Sequence, residues 1–162
     1  MSSASRVSGI AAAIALIVLP MVALALRWVL PGWFMQTLRA AALVLLLAYA
    51  LAVVIAITGF LTRRAAFTVA RMPWRAVTAS WVAAAGVLLC SVFLVDDVND
   101  GPWGSPFTVL LGVRYPSGAL TDANHFASSI FGLLTLAGFG WLVVEWVIAL
   151  VQRRKRSTPI SI

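Results

Sequence analysis

The chain has 162 residues, 62% of them hydrophobic and 10% charged, and carries a formal net charge of +7. A soluble domain is roughly half apolar, so this composition, with a mean hydropathy of +1.02, argues against a water-solvated fold and predicts an all-α integral membrane protein. The cations flank apolar runs, as orientation signals do, which argues against nucleic acid as a partner and for the lipid bilayer.

A helix needs about 20 mostly apolar residues to cross the hydrocarbon core. Four segments meet this, residues 9–30, 38–61, 76–95 and 126–151, and predict a four-transmembrane-helix bundle forming one membrane domain over 1–162. The first span holds Pro20, which removes a backbone hydrogen bond and permits a kink. Arg6, the apolar run from Ile10 and the triplet Ala23-Leu24-Ala25 also fit a cleavable secretory signal. That run exceeds the 7–15 residues of a signal's apolar region, so the span is read as retained.

The connection over 31–37 is short enough to make the first two spans an antiparallel hairpin. Ala48, Ala52 and Ala56 recur every four residues on the second span, as do Ser80 and Ala84 on the third and Ser128 and Gly132 on the fourth. Small residues at this spacing let helices approach closely. The inner loop, residues 62–75 (TRRAAFTVARMPWR), interleaves arginine with apolar residues. It reads as a solvated connector that fixes topology, or as a segment lying on anionic headgroups.

The outer loop, residues 96–125, is the unusual piece, because structureless loops beyond about 12–15 residues are uncommon. Gly101, Pro102, Gly104, Ser105 and Pro106 leave its first part little scope for regular structure. The apolar run FTVLLGV, residues 107–113, is too short to span. It is expected to dip into the membrane, pair as a hairpin or cover the helix ends. Thr121, Asp122 and Asn124 are candidate N-caps for the fourth span, which leads to a basic tail at 152–162.

Nine basic residues fall on one side of these spans: Arg6, Arg63, Arg64, Arg71, Arg75, Arg153, Arg154, Lys155 and Arg156. Three fall on the other, Arg27, Arg39 and Arg114. The positive-inside rule then predicts both termini in the cytoplasm. Arginine supplies every basic residue except Lys155, which hints at a GC-rich bacterial genome and hence at a bacterial cytoplasmic membrane. Trp28, Trp33 and Trp103 lie at the expected outer boundary and Trp74 and Trp146 at the inner one, while Trp81 and Trp141 lie deeper, as gap fillers or facing lipid.

Three of the five acidic residues, Asp96, Asp97 and Asp100, follow the third span directly. A helix C-terminus disfavours negative charge and an N-terminus disfavours positive charge, and Arg39 sits at such an N-terminus on the same side. An outer ion cluster of Arg39 and Arg27 with Asp96 or Asp97 would offset both. The alternative is a Mg²⁺ or Ca²⁺ site on Asp96, Asp97 and Asp100. DDVNDG fails the calcium-loop pattern, having Val98 at its third position and Phe107 at its twelfth. Asp96 and Asp100 also match D-x-x-x-D, a spacing of Mg²⁺-dependent lipid-linked transferases. Asp122, His125 and Ser128 or Ser129 suggest a hydrolase, yet no G-x-S-x-G elbow exposes a serine.

Glu145 is the one acid inside a predicted span. An ionisable group at that depth costs a few kcal/mol on insertion scales, which makes it a functional candidate. Thr58, Thr78, Ser80 and the reach of Arg75 are expected at its level, so Glu145 is either protonated or paired with Arg75 between helices, or it serves a proton-linked step or a contact to another membrane subunit. The single Cys, Cys90, and the single His, His125, exclude an internal disulfide and a haem held by two histidines. Three functions remain open: an accessory or assembly subunit acting on another membrane protein or a second copy, a membrane enzyme using an Asp-held cation, and a small oligomeric transporter using Glu145.

Overall fold

The computed structural model describes residues 3–29, 34–62, 65–68, 72–98 and 101–157. They form helices α1 (Ser3–Val29), α2 (Phe34–Ile55), α3 (Pro73–Phe93), α4 (Pro106–Leu110) and α5 (Ala119–Ser157), with a short antiparallel ribbon of β1 (Asp96–Val98) and β2 (Gly101–Trp103). Four of the helices are long and apolar enough to cross a membrane. Helices suit such a sequence because hydrocarbon offers no partner to a backbone N–H or C=O, so each segment must satisfy its own.

Side-chain contacts fix the helix directions. Gly9 of α1 lies against Phe60, just past α2, and the Tyr49 hydroxyl of α2 donates to the Ile17 carbonyl at 3.2 Å, so α1 and α2 are antiparallel. Ser91 donates to the carbonyl of Ala23 at 3.0 Å and Arg27 to that of Leu94 at 2.9 Å, so α1 and α3 are parallel. Gly86 faces Thr135 and Gly138 faces Ala83, so α3 and α5 are antiparallel. The start of α1 and the end of α5 therefore lie at one end of the bundle, the terminal end. The ribbon and α4 lie at the other, the ribbon end.

α3 is the middle helix, packed between α1 and α5. Ala76, Ala79, Ser80, Ala83, Ala84 and Gly86 are all buried along it. A Cβ on Gly138 would stand 2.8 Å from the Ala83 backbone nitrogen, and one on Gly86 would stand 2.6 Å from the Thr135 hydroxyl and 3.1 Å from the Phe131 carbonyl. The two backbones approach as closely as a missing side chain permits. Among the small residues singled out from sequence, Ala52, Ala56, Ser80, Ala84 and Ser128 are buried, while Ala48 and Gly132 are half-buried.

α1 runs through Pro20 without a break. A proline ring removes the bond to the carbonyl four residues back and crowds its neighbour. The carbonyl that loses its N–H donor is Leu16, and the next one, Ile17, accepts the Tyr49 hydroxyl, which ties α2 to α1 beside the proline.

α2 is packed unevenly. Ala52, Ile55 and Ala56 are buried at its C-terminal end, whereas six consecutive residues, Ala42–Leu47, are exposed. Six residues exceed one 3.6-residue turn, so this stretch shows every face.

α2 passes into a π-helical turn, Ala56–Leu61, followed by a 3₁₀ turn, Ala66–Thr68. The loop expected to be a solvated connector is anchored instead: Ala65, Ala66 and Phe67 are buried. The Phe67 ring occupies the space a side chain on Gly59 would need, and its centroid lies 4.6 Å from that of Phe60. The basic residues Arg63, Arg64 and Arg71 of this loop lie outside the described residues.

The helices outrun the predicted spans, α1 starting at Ser3 rather than 9, α2 at Phe34 rather than 38 and α5 ending at Ser157 rather than 151. α3 starts at Pro73 rather than 76, with proline in the first turn, where its missing N–H is no loss. α5 starts at Ala119 rather than 126, so Thr121, Asp122 and Asn124 lie within its first turns and do not cap it. Asp122 in the first turn favours the positive end of the helix dipole. The run 107–113, β-rich by composition and with a hairpin among its expected forms, is helical over 107–110 and contributes most of α4, for which Ser105 is the N-cap.

Candidate functional site

At the ribbon end, Arg27 is buried at the C-terminus of α3, where Nη1 donates to the carbonyl of Leu94, the C-cap residue. A guanidinium there meets the negative end of the dipole and a carbonyl with no intrahelical partner. The side chains of Arg39, Asp96 and Asp97, and the whole of Asp100, lie outside the described residues. Among the described residues no group of three His, Cys, Asp or Glu is placed to hold a metal.

Beyond the ribbon, residues 104–118 fold back onto α5. The Ser105 hydroxyl accepts from the Thr108 N–H at 3.3 Å and donates to Asn124 Oδ1 at 2.8 Å, while Asn124 Nδ2 donates to the Leu120 carbonyl at 2.7 Å. The Thr108 hydroxyl donates to the Ser105 carbonyl at 3.0 Å. All three side chains are buried, and they are bonded to one another rather than left open to a ligand. Gly104 sits so close to Thr108 that no side chain would fit, and its N–H donates to the Arg114 carbonyl at 2.8 Å. Phe107 packs on Phe93 at 5.0 Å and Phe93 on Phe131 at 5.7 Å, tying this segment to α3 and α5.

At the terminal end, Arg75 Nε lies 3.1 Å from Glu145 Oε1, and the same oxygen accepts from Trp141 Nε1 at 3.0 Å. Trp141 and Glu145 are four residues apart and so share a helix face. The Arg75 guanidinium carbon lies 5.7 Å from the Trp141 ring centroid, within cation–π range. One turn on, Trp146 Nε1 donates to the Thr58 hydroxyl at 3.0 Å, and Thr58 donates to the Val54 carbonyl at 2.6 Å. These contacts join α3, α5 and the π turn after α2. The Glu145 side chain is 12% exposed and that of Arg75 44%, so the carboxylate is covered and the guanidinium reaches it from the rim.

Of the five residues expected at this level, Arg75, Glu145 and Thr58 belong to the network. Ser80 is buried but donates to the Ala76 carbonyl of its own helix at 2.8 Å, and Thr78 is exposed. The two indole donors were not anticipated, since Trp141 reads as a gap filler and Trp146 as a boundary residue. The spacing of Trp141 to Glu145 is the signal that finds the first. The second depends on where the π turn places Thr58, which no local pattern reports.

His125, Ser128 and Ser129 form no catalytic relay. Both serine hydroxyls donate to the backbone carbonyl of His125, at 3.0 Å and 2.8 Å, as helical serines do to the turn behind them. Comparison with protein-family models, with curated proteins and with solved structures found no match for the chain.

Proposed function

We propose that the chain is a non-catalytic accessory or assembly subunit of a bacterial cytoplasmic membrane, acting through helix packing and through the folded segment at its ribbon end. The observation that carries this reading is the exposure of α2 on every face over Ala42–Leu47. The other helices each bury a stripe in the bundle, and this turn and a half buries none. An apolar helix face without a neighbour in its own chain suits a neighbour from another protein or a second copy.

Supporting an orientation with both termini in the cytoplasm, Arg6, Arg75, Arg153, Arg154 and Lys155 lie at the terminal end. Basic residues near a cytoplasmic leaflet also gain about 1 kcal/mol each from anionic headgroups.

The test is a photo-crosslinking amino acid placed at Leu46 in native membranes, with Leu136 on α5 as the comparison position. A discrete protein adduct at Leu46, absent at Leu136, is expected. Lipid adducts alone at both positions would remove the reading. The transport alternative is weighed by the same geometry: Glu145 is engaged by Arg75 and Trp141, as a link between helices is.

A further inference from the structure

We infer that residues 109–115 are an interfacial membrane anchor, with Leu110 and Leu111 inserted among lipid chains at the ribbon end of the bundle. Leu110 is 85% exposed and Leu111 60%, and Leu110 exceeds every other large apolar residue described. Both stand on a rigid support. Gly112, at φ +79°, turns the chain directly after them, and Val113 N–H returns to the Thr108 carbonyl at 2.9 Å. The buried Ser105, Thr108 and Asn124 network then fastens the segment to α5.

Height in the bundle selects lipid as the occupant. Phe107, one turn before Leu110 and Leu111, packs at a tilt on Phe93, the last residue of α3, which stacks in turn on Phe131. Ser105 bonds Asn124, seven residues before Phe131 on α5, so α4 packs alongside a stretch of α5 about 10 Å long at 1.5 Å per residue. Within that height α5 exposes Phe126 and Ile130 together with the polar His125 and Ser129, and α1 exposes Trp28 beside Arg27, which is level with Leu94. α1 and α5 lie on either side of α3. Exposed apolar and polar side chains mixed at one level on α1 and α5 mark the boundary between hydrocarbon and headgroups, and Leu110 and Leu111 stand at that level. Arg114 and Tyr115, both exposed, follow them as residues that prefer the headgroup layer. The inference holds for either orientation and does not depend on a partner protein.

The experiment attaches an environment-sensitive fluorophore to Leu110→Cys, and separately to Leu111→Cys, in the full chain carrying Cys90→Ala. Each is reconstituted in vesicles of phosphatidylethanolamine and phosphatidylglycerol and compared with Leu136→Cys as a mid-membrane reference and Lys155→Cys as a water reference. Expected are blue-shifted emission, loss of iodide quenching relative to position 155, and stronger quenching by lipids brominated near the headgroup than by lipids brominated near the chain end. Iodide quenching equal to that at position 155 would put the segment in water and overturn the anchor. Protection from both iodide and brominated lipid would mean that protein covers it, and would overturn it equally.

Discussion

The contact between Arg75 and Glu145 is asymmetric, because one partner is covered and the other reaches the rim. Removing one partner of a covered ion pair costs about 3–5 kcal/mol, and exposure of the guanidinium reduces that figure here. Glu145→Gln keeps an oxygen for Trp141 Nε1 and frees Arg75 to turn toward headgroups, so a loss of about 1 kcal/mol is expected. Arg75→Gln leaves a covered carboxylate with the indole as its remaining partner, and about 2–3 kcal/mol is expected. Reversible unfolding in mixed micelles, followed by circular dichroism, checks the order; equal losses would show that the pair does not act as described. Much of this contact was legible in sequence. Counting from Arg153 gives the depth of Glu145, and the loop charge nearest α3 gives Arg75. Thr78 and Ser80 share that level and point elsewhere, since depth is readable from a span but rotation about its axis is not.

The seam between α3 and α5 makes a sharper demand on the helices. Gly138→Leu has to displace the backbone of Ala83, and overpacking of this kind costs about 1–3 kcal/mol. Gly140, two residues away with nothing within 4 Å of its missing Cβ, is the control. Gly140→Ala is expected to leave stability unchanged or raise it by about 0.5–1 kcal/mol through helix propensity. Melting temperatures of the two variants check this, and a shift shared by both would remove the seam as the cause. The spans themselves were legible because a bilayer requires an apolar length that polar residues cannot imitate. Their ends were not: α5 begins at Ala119 because polar Thr121, Asp122 and Asn124 are acceptable to a helix that has left the hydrocarbon. Hydropathy reports where lipid ends, not where helix ends. Phe67 was missed for the converse reason, being one ring amid arginines, buried by a glycine eight residues earlier.

Across the molecule, alternating helix directions bring the start of α1 and the end of α5 to one end. A reporter fused at either terminus is therefore expected to give the same signal; the proposed orientation adds that a cytoplasmic reporter is active and a periplasmic one silent. Opposite signals from the two fusions would contradict an even number of crossings. The span pattern made this count legible, whereas the ranking of neighbours, with α3 central and Ala42–Leu47 of α2 unpacked, depends on contacts that composition does not report. One contact also imposes an order in time. Arg75 leaves the ribosome about 70 residues before Glu145, a delay of roughly 4–14 s at ordinary elongation rates. Throughout that interval the nascent third helix carries a cation whose counter-charge has not yet been synthesised. The Arg75 side chain, 44% exposed in the finished bundle, is long enough to meet headgroup phosphates as a substitute counter-charge during that interval.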